Sequence, residues 1–286
     1  MANVLAVENL VKRFGGLLAT DNLSFQIKLG ELHAVIGPNG AGKTTLIQQL
    51  SGELPSDAGK IIFNGEDITR YPAHRRSQFG LGRSYQITSI FDDFTALENV
   101  AVAVQASLGY SFRFWRPAMG ETAITTPAMA ALAQVGLAER AHTHVAAMAH
   151  GERRQLEIAM TLAGHPKLIL LDEPMAGMSS HESADIVKLL EKLKGTVTIL
   201  LVEHDMDAVF ALADRITVLV YGQAMATGSA ADIRANQEVR DAYRGESEET
   251  SGPRPYWRYE TSRLTTAAAR RCSVFPWPST KANSSH

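Results

Sequence analysis

The chain has 286 residues, 45% of them hydrophobic, and its 28 lysines and arginines nearly balance 30 aspartates and glutamates, for a net charge of −2. That length holds one large α/β domain or two modest ones, and the near-neutral balance excludes the global basic field of a general nucleic-acid binder. A single cysteine, Cys272, excludes an internal disulfide framework and fits a reducing cytoplasm.

The opening "MANVLAVENLVKRF" lacks a basic segment followed by a long apolar core, so no secretory signal is expected. It ends on Phe14, which the local sequence leaves open between a core residue and an aromatic that stacks on adenine. Buried strands are predicted for "LHAVIG", "KLILLD", "VTILLVEH" and "RITVLVYG", because near-continuous Val, Ile and Leu suits parallel strands covered on both faces. The longest apolar runs fall far short of the roughly 20 residues a membrane span needs, so the chain is not expected to cross a bilayer.

The first of these strands runs into "GPNGAGKTT", comprising Gly37, Pro38, Asn39, Gly40, Ala41, Gly42, Lys43, Thr44 and Thr45. This fits G-x-x-x-x-G-K-[ST] in the strand-then-helix context that the phosphate loop requires. Glycines let successive N–H groups turn toward one centre, and a helix starting near Lys43 adds its positive end. Lys43 is expected to reach the β- and γ-phosphates and the Thr44 hydroxyl to ligate Mg²⁺. A plain glycine-rich turn explains the glycines but neither Lys43 nor Thr44.

From Gln86 to Met160 the texture becomes alanine-rich and helix-favouring, which predicts a helical subdomain over about residues 87–160 inserted in the α/β core. The Gln86 amide is read either as a group reaching Mg²⁺ or water, or as an ordinary exposed glutamine. In "GYSFRFWRP", Arg113 and Arg116 interleave with aromatics; a loop packed on the subdomain and a contact with a partner both fit, with nucleic acid last. "MAHGERRQLEIAM" has no nucleophile, metal-ligand pair or phosphate loop, yet Gly151 stands at the predicted start of an amphipathic helix.

"LILLDEP" ends a strand in adjacent acids, Asp172 for a Mg²⁺ shell and Glu173 to activate the water that attacks the γ-phosphate. "LLVEHD" repeats that placement with His204, which could bridge phosphate, water and Glu173. Between them, Ser179 and Glu182 form a predicted capping box, Ile186, Leu189, Leu190 and Leu193 share a helical face, and Gly195 ends the helix. Residues 246–286 mix Ser, Thr, Pro and charge without a period and read as a flexible tail.

The order of Phe14, the phosphate loop, Gln86, "MAHGE", "LILLDEP" and His204 resembles the ATP-binding subunits of ABC transporters, across about residues 4–245. "RFGGLLATDNLSF", "GRSYQITSIF", "HGERRQLEIAM" and "VRDAYRGE" are more closely similar to importer ATPases for branched-chain amino acids, whose relatives also serve other amino acids, amides and urea. The resemblance implies an α/β P-loop NTPase core with a mostly parallel sheet, an N-terminal antiparallel β portion and the helical insertion, in one nucleotide-binding domain over 1–245. It implies ATP and Mg²⁺ as ligands. It makes Ala149, His150, Gly151 and Glu152 a signature that faces the ATP of a second, antiparallel ATPase subunit, identical or homologous. It further implies integral membrane permease subunits, an indirectly linked extracytoplasmic binding protein, no nucleic acid, and a peripheral place on the cytoplasmic face of the inner membrane.

Ala149, His150 and Glu152 depart from the usual Leu-Ser-Gly-Gly-Gln, Ser179 stands where many relatives have a partner-contacting aspartate, and Arg244 replaces the leucine of the usual ending. Lipid or lipopolysaccharide export is the nearest rival cargo. A soluble ABC ATPase would show two cassettes, a long coiled coil or basic patches. A purely regulatory nucleotide site is disfavoured by the intact Lys43, Asp172, Glu173 and His204.

Overall fold

The computed structural model describes residues 3–84, 90–108 and 121–249, with 244–249 described by their backbone alone. The chain divides into two units, Met1–Tyr243 and Arg244–His286, and the account below concerns the first.

Strands β1 (Asn3–Phe14) and β2 (Leu17–Lys28) form a long antiparallel hairpin, with Gly15 and Gly16 between the paired residues Phe14 and Leu17. Two glycines at a two-residue connection suit the turns that match strand twist. Next come β3 (Leu32–Ile36), α1 (Lys43–Ser51), β4 (Ala58–Phe63), the short β5 (Glu66–Asp67), α2 (Ala73–Gln78) and β6 (Leu81–Ser84). The helical region holds α3 (Ala96–Ser107), α4 (Thr122–Gln134) and α5 (His150–Leu162). Then follow β7 (Leu168–Asp172), α6 (Ser180–Leu193), β8 (Thr198–Val202), α7 (Met206–Leu212), β9 (Arg215–Val220), β10 (Gln223–Gly228), α8 (Ala230–Ala235) and α9 (Gln237–Glu249). The backbone thus stays helical past the boundary expected at residue 245, while residues 250–286 lie outside the described residues.

The strands make two sheets. An antiparallel sheet has the order β2-β1-β4-β5, and a second has the order β10-β9-β3-β8-β7-β6, parallel except for β10. In the second sheet Leu168, Leu170, Leu200 and Val202 join the cluster shared with α1 and the antiparallel sheet, whereas Ile169, Leu171, Ile199 and Leu201 join the cluster shared with α3 to α6. Both faces are therefore covered, which is why these strands read as unbroken apolar runs. The same cluster makes the helical insertion continuous with one face of the core.

The phosphate-loop helix α1 is closed from behind by Arg76 of α2. This side chain is fully buried, and its guanidinium donates to the carbonyls of Gln49 (2.7 Å), Leu50 (2.8 Å), Thr69 (2.8 Å) and Tyr71 (2.8 Å). A cation at a helix C-terminus satisfies the last carbonyls and complements the dipole. Burial depresses its pKa to about 10, with Asp67 opposing the fall.

Candidate active site

Register brings the functional segments together. Val35 of β3 pairs with Val202 of β8, and Val202 pairs with Asp172 of β7, so three adjacent strands end at one level. The phosphate loop, Asp172–Glu173 and Glu203–His204 all leave the sheet from that edge, the carboxyl-end position where open α/β sheets hold ligands.

The loop after β3 is tightly fitted. Gly37 has φ +153°, and a Cβ there would fall 2.0 Å from the Leu219 carbonyl oxygen; Gly42 has φ +102°, and a Cβ would fall 2.1 Å from that of Ala19. Neither position admits a side chain. Ala41 is buried, Pro38 and Thr45 are half-buried, and Asn39, Gly40 and Thr44 are exposed. Lys43 is buried and folds back along the loop, donating to the carbonyls of Gly37 (2.6 Å) and Pro38 (3.0 Å). Among the described residues no side chain caps α1 and no acid stands in its first turn. Its leading amides and positive end suit an anion.

Asp172 is 2% exposed, and among the described residues neither carboxylate oxygen has a hydrogen-bond partner. Burial pushes its pKa above the usual carboxylate range, and Arg83, whose Nη2 lies 3.8 Å away, opposes that rise. A buried carboxylate with no hydrogen bond to either oxygen among the described residues, together with the exposed Thr44 hydroxyl of the phosphate loop, fits the oxygen-donor chemistry of Mg²⁺. The next residue, Glu173, is half-buried and sits at φ +48°, a left-handed conformation that costs a non-glycine residue about 1–3 kcal/mol and clusters at functional sites. Its N–H donates to Val202 O at 2.8 Å. His204 is exposed two residues beyond the end of β8. Phe14, at the hairpin end, is 48% exposed with the Lys12 ammonium 5.6 Å from its ring centre, so it is available for stacking and is not a core residue. Gln86 and the segment 109–117 lie outside the described residues.

The signature segment starts α5 as expected, but its groups are engaged within the chain. Ala149 has no side-chain acceptor; the Glu152 carboxylate instead accepts from the Ala149 N–H (2.9 Å) and pairs with Arg140 (3.0 Å). His150 is exposed. The Gly151 N–H donates to Glu182 Oε1 at 3.1 Å, and the other oxygen of Glu182 accepts from the Ser179 N–H (3.0 Å) and hydroxyl (2.7 Å). The expected Ser179–Glu182 capping box is therefore present and also reaches α5. These contacts hold Glu182 below the ordinary glutamate range, the Ser179 hydroxyl and amide most strongly, then the Gly151 amide.

Two residues near the site were absent from the sequence reading. Arg154 of α5 donates to the carbonyls of Glu173 (2.9 Å), Pro174 (3.0 Å) and Asp172 (3.3 Å), tying the signature helix to the acidic loop. Glu203, fully buried, accepts from the amides of Met175 and His204. A charged residue at the end of an apolar strand was the available signal for Glu203; nothing local distinguishes Arg154 from Arg153. A groove of about 480 Å³ lies behind the sheet edge, lined by Arg83, Ser84, Ile90, Ala103, Glu157 and Met160 among others.

Sheet order, loop geometry and strand-end acids together define a P-loop ATPase. Residues 20–176 match the ABC transporter family. The chain is 37% identical over 251 residues to the high-affinity branched-chain amino acid transport ATP-binding protein BraF of Pseudomonas aeruginosa, covering 85% of this chain and 98% of that protein. It is 34% identical to LivG of Escherichia coli, a protein of the same description, with the same coverage. An ATP-binding cassette of an ABC transporter, solved in its ADP conformation, superposes with a TM-score of 0.76 at 28% identity, covering 86% of this chain and all of that one. The chain belongs to the ATP-binding proteins of ABC transporters.

Proposed function

We propose that this chain is the ATP-hydrolysing subunit of an importer for branched-chain or related amino acids. The observation that supports the hydrolytic part best is Asp172, buried with neither oxygen hydrogen-bonded among the described residues, on the strand packed against an uncapped phosphate-loop helix. Asp172, Thr44 and Gln86 would hold Mg²⁺, which neutralises charge developing on the phosphates. Lys43 leaves the loop carbonyls for the β- and γ-phosphates, Phe14 stacks on adenine, Glu173 orients and deprotonates the attacking water, and His204 holds the γ-phosphate end. The cargo assignment rests on BraF and LivG.

Two such chains, or this one and a homologue, would sandwich two ATP molecules, with the Gly151 end of α5 facing the partner's γ-phosphate. ATP closes the dimer and hydrolysis opens it, by differential affinity of the two states for nucleotide. The groove beside Ile90 and Met160 has the size and mixed lining to seat a helix of a membrane permease. Among the described residues no helix is long and apolar enough to cross a membrane. In the proposed importer the permeases form the bilayer path, with this subunit on their cytoplasmic face and a binding protein delivering cargo from outside. The direct test is Glu173→Gln: ATP binding persists while turnover falls by about 10²-fold or more, and undiminished hydrolysis removes Glu173 as the base.

A further inference from the structure

We propose that Glu203 is a positioning residue for hydrolysis, a buried carboxylate that keeps the Glu173 loop and His204 in one register. The inference rests on the ATPase reading above. Glu203 has no exposed surface and stands directly after β8. Its Oε1 accepts the Met175 N–H at 2.9 Å, its Oε2 accepts the His204 N–H at 3.0 Å, and the same Oε2 lies 3.6 Å from His204 Nδ1. One residue earlier, Val202 O accepts the Glu173 N–H at 2.8 Å.

Glu173 is therefore bracketed. Consecutive residues at the end of β8 bond its own N–H and the N–H two residues later. That bracket holds a backbone otherwise disfavoured at φ +48°. It also ties the loop of the base to the residue that meets the γ-phosphate end, because one side chain serves both. Neither lysine nor arginine lies within ion-pair distance of Glu203 among the described residues. Burying a carboxylate costs several kcal/mol, and its partners here are mainly two backbone amides. A glutamine here would present one oxygen and one NH₂ to the two amides. The carboxylate presents a separate oxygen to each amide.

Glu203→Gln tests this, because it preserves shape but turns an NH₂ toward one of the two N–H donors. The full-length chain is assayed with Mg²⁺–ATP for steady-state turnover and, separately, for binding of a fluorescent ATP analogue. The expected result is a kcat lower by about 10- to 100-fold, with analogue affinity within about twofold, and Glu203→Asp, too short to span both amides, similarly impaired. A folded Glu203→Gln chain with wild-type kcat overturns the inference. So does parallel loss of kcat and analogue affinity, which marks general structural damage. Should Glu203→Gln not fold, hydrogen exchange on the wild-type chain decides: Met175 and His204 amides exchanging as fast as exposed ones overturn the bracket, and protected ones support it. Glu173→Gln in parallel separates the two readings. If that variant hydrolyses normally, the assignment of Glu173 as the base fails; if it is inactive while Glu203→Gln is normal, only the bracket fails.

Discussion

The Gly151 N–H and the Glu182 carboxylate meet at 3.1 Å, joining the first turn of α5 to the first turn of α6. The helix start proposed to face a partner's phosphate already holds an anion from its own chain. A Cβ on Gly151 would also lie 3.2 Å from Glu182 Cγ, so enlarging Gly151 disturbs this internal contact as well as any contact across the dimer.

On the proposed sandwich, Glu182 and the γ-phosphate compete for the Gly151 amide and repel each other. In a Glu173→Gln background, Glu182→Ala lowers the ATP concentration for half-maximal dimerisation several-fold, roughly 1 kcal/mol, as read by sedimentation. Its thermal midpoint falls slightly, because α6 loses half of its capping box. A higher ATP requirement would show that Glu182 assists the phosphate.

Asp172 carries a charge that burial opposes. The folded chain holds this proton to higher pH than the unfolded chain does, so the stability it contributes is present below the ordinary carboxylate pKa and lost as pH rises through the raised one. Without nucleotide or Mg²⁺, Asp172→Asn is therefore more thermostable than wild type at pH 7.5, by about 2–4 °C for each kcal/mol gained, and the gap closes below about pH 4. The same variant loses Mg²⁺-dependent turnover. A wild-type chain more stable at pH 7.5 would mean that Arg83 outweighs the burial of Asp172.

Lys43→Ala removes the cation that the loop carbonyls now hold. Equilibrium titration with ATP should show affinity lower by about 10²-fold or more, with little change in thermal midpoint without nucleotide. Unchanged ATP affinity would contradict the phosphate-loop assignment.

Arg76→Leu strands the carbonyls of Gln49, Leu50, Thr69 and Tyr71 and is expected to cost about 3–5 kcal/mol in urea unfolding. A loss below about 1 kcal/mol would show that these groups find other partners.

What was legible in advance was what short-range chemistry encodes. "GPNGAGKTT" carries its own loop geometry, the apolar runs announce strands covered on two faces, and Ser179 and Glu182 sit at capping distance. What stayed hidden depends on segments far apart in sequence. Arg76 reaches α1 from another helix, Arg154 crosses from α5 to the acidic loop, and the Gly151–Glu182 contact spans 31 positions. Glu203 is the intermediate case: a charge at the end of an apolar strand marks a buried polar group and its His204 amide partner is the next residue, but the Met175 amide is brought to it by the pairing of β7 with β8. Phe14 shows the same limit, since local sequence left it between core and surface until the hairpin end left it half exposed.

The central claim is that neither chain holds a complete reaction centre. Specific ATPase rate measured against protein concentration, with molecular mass determined on the same samples, tests it most directly. The rate per chain should rise with the dimer fraction and fall toward zero where the chain is monomeric. A full specific rate from a chain shown to be monomeric would contradict the claim.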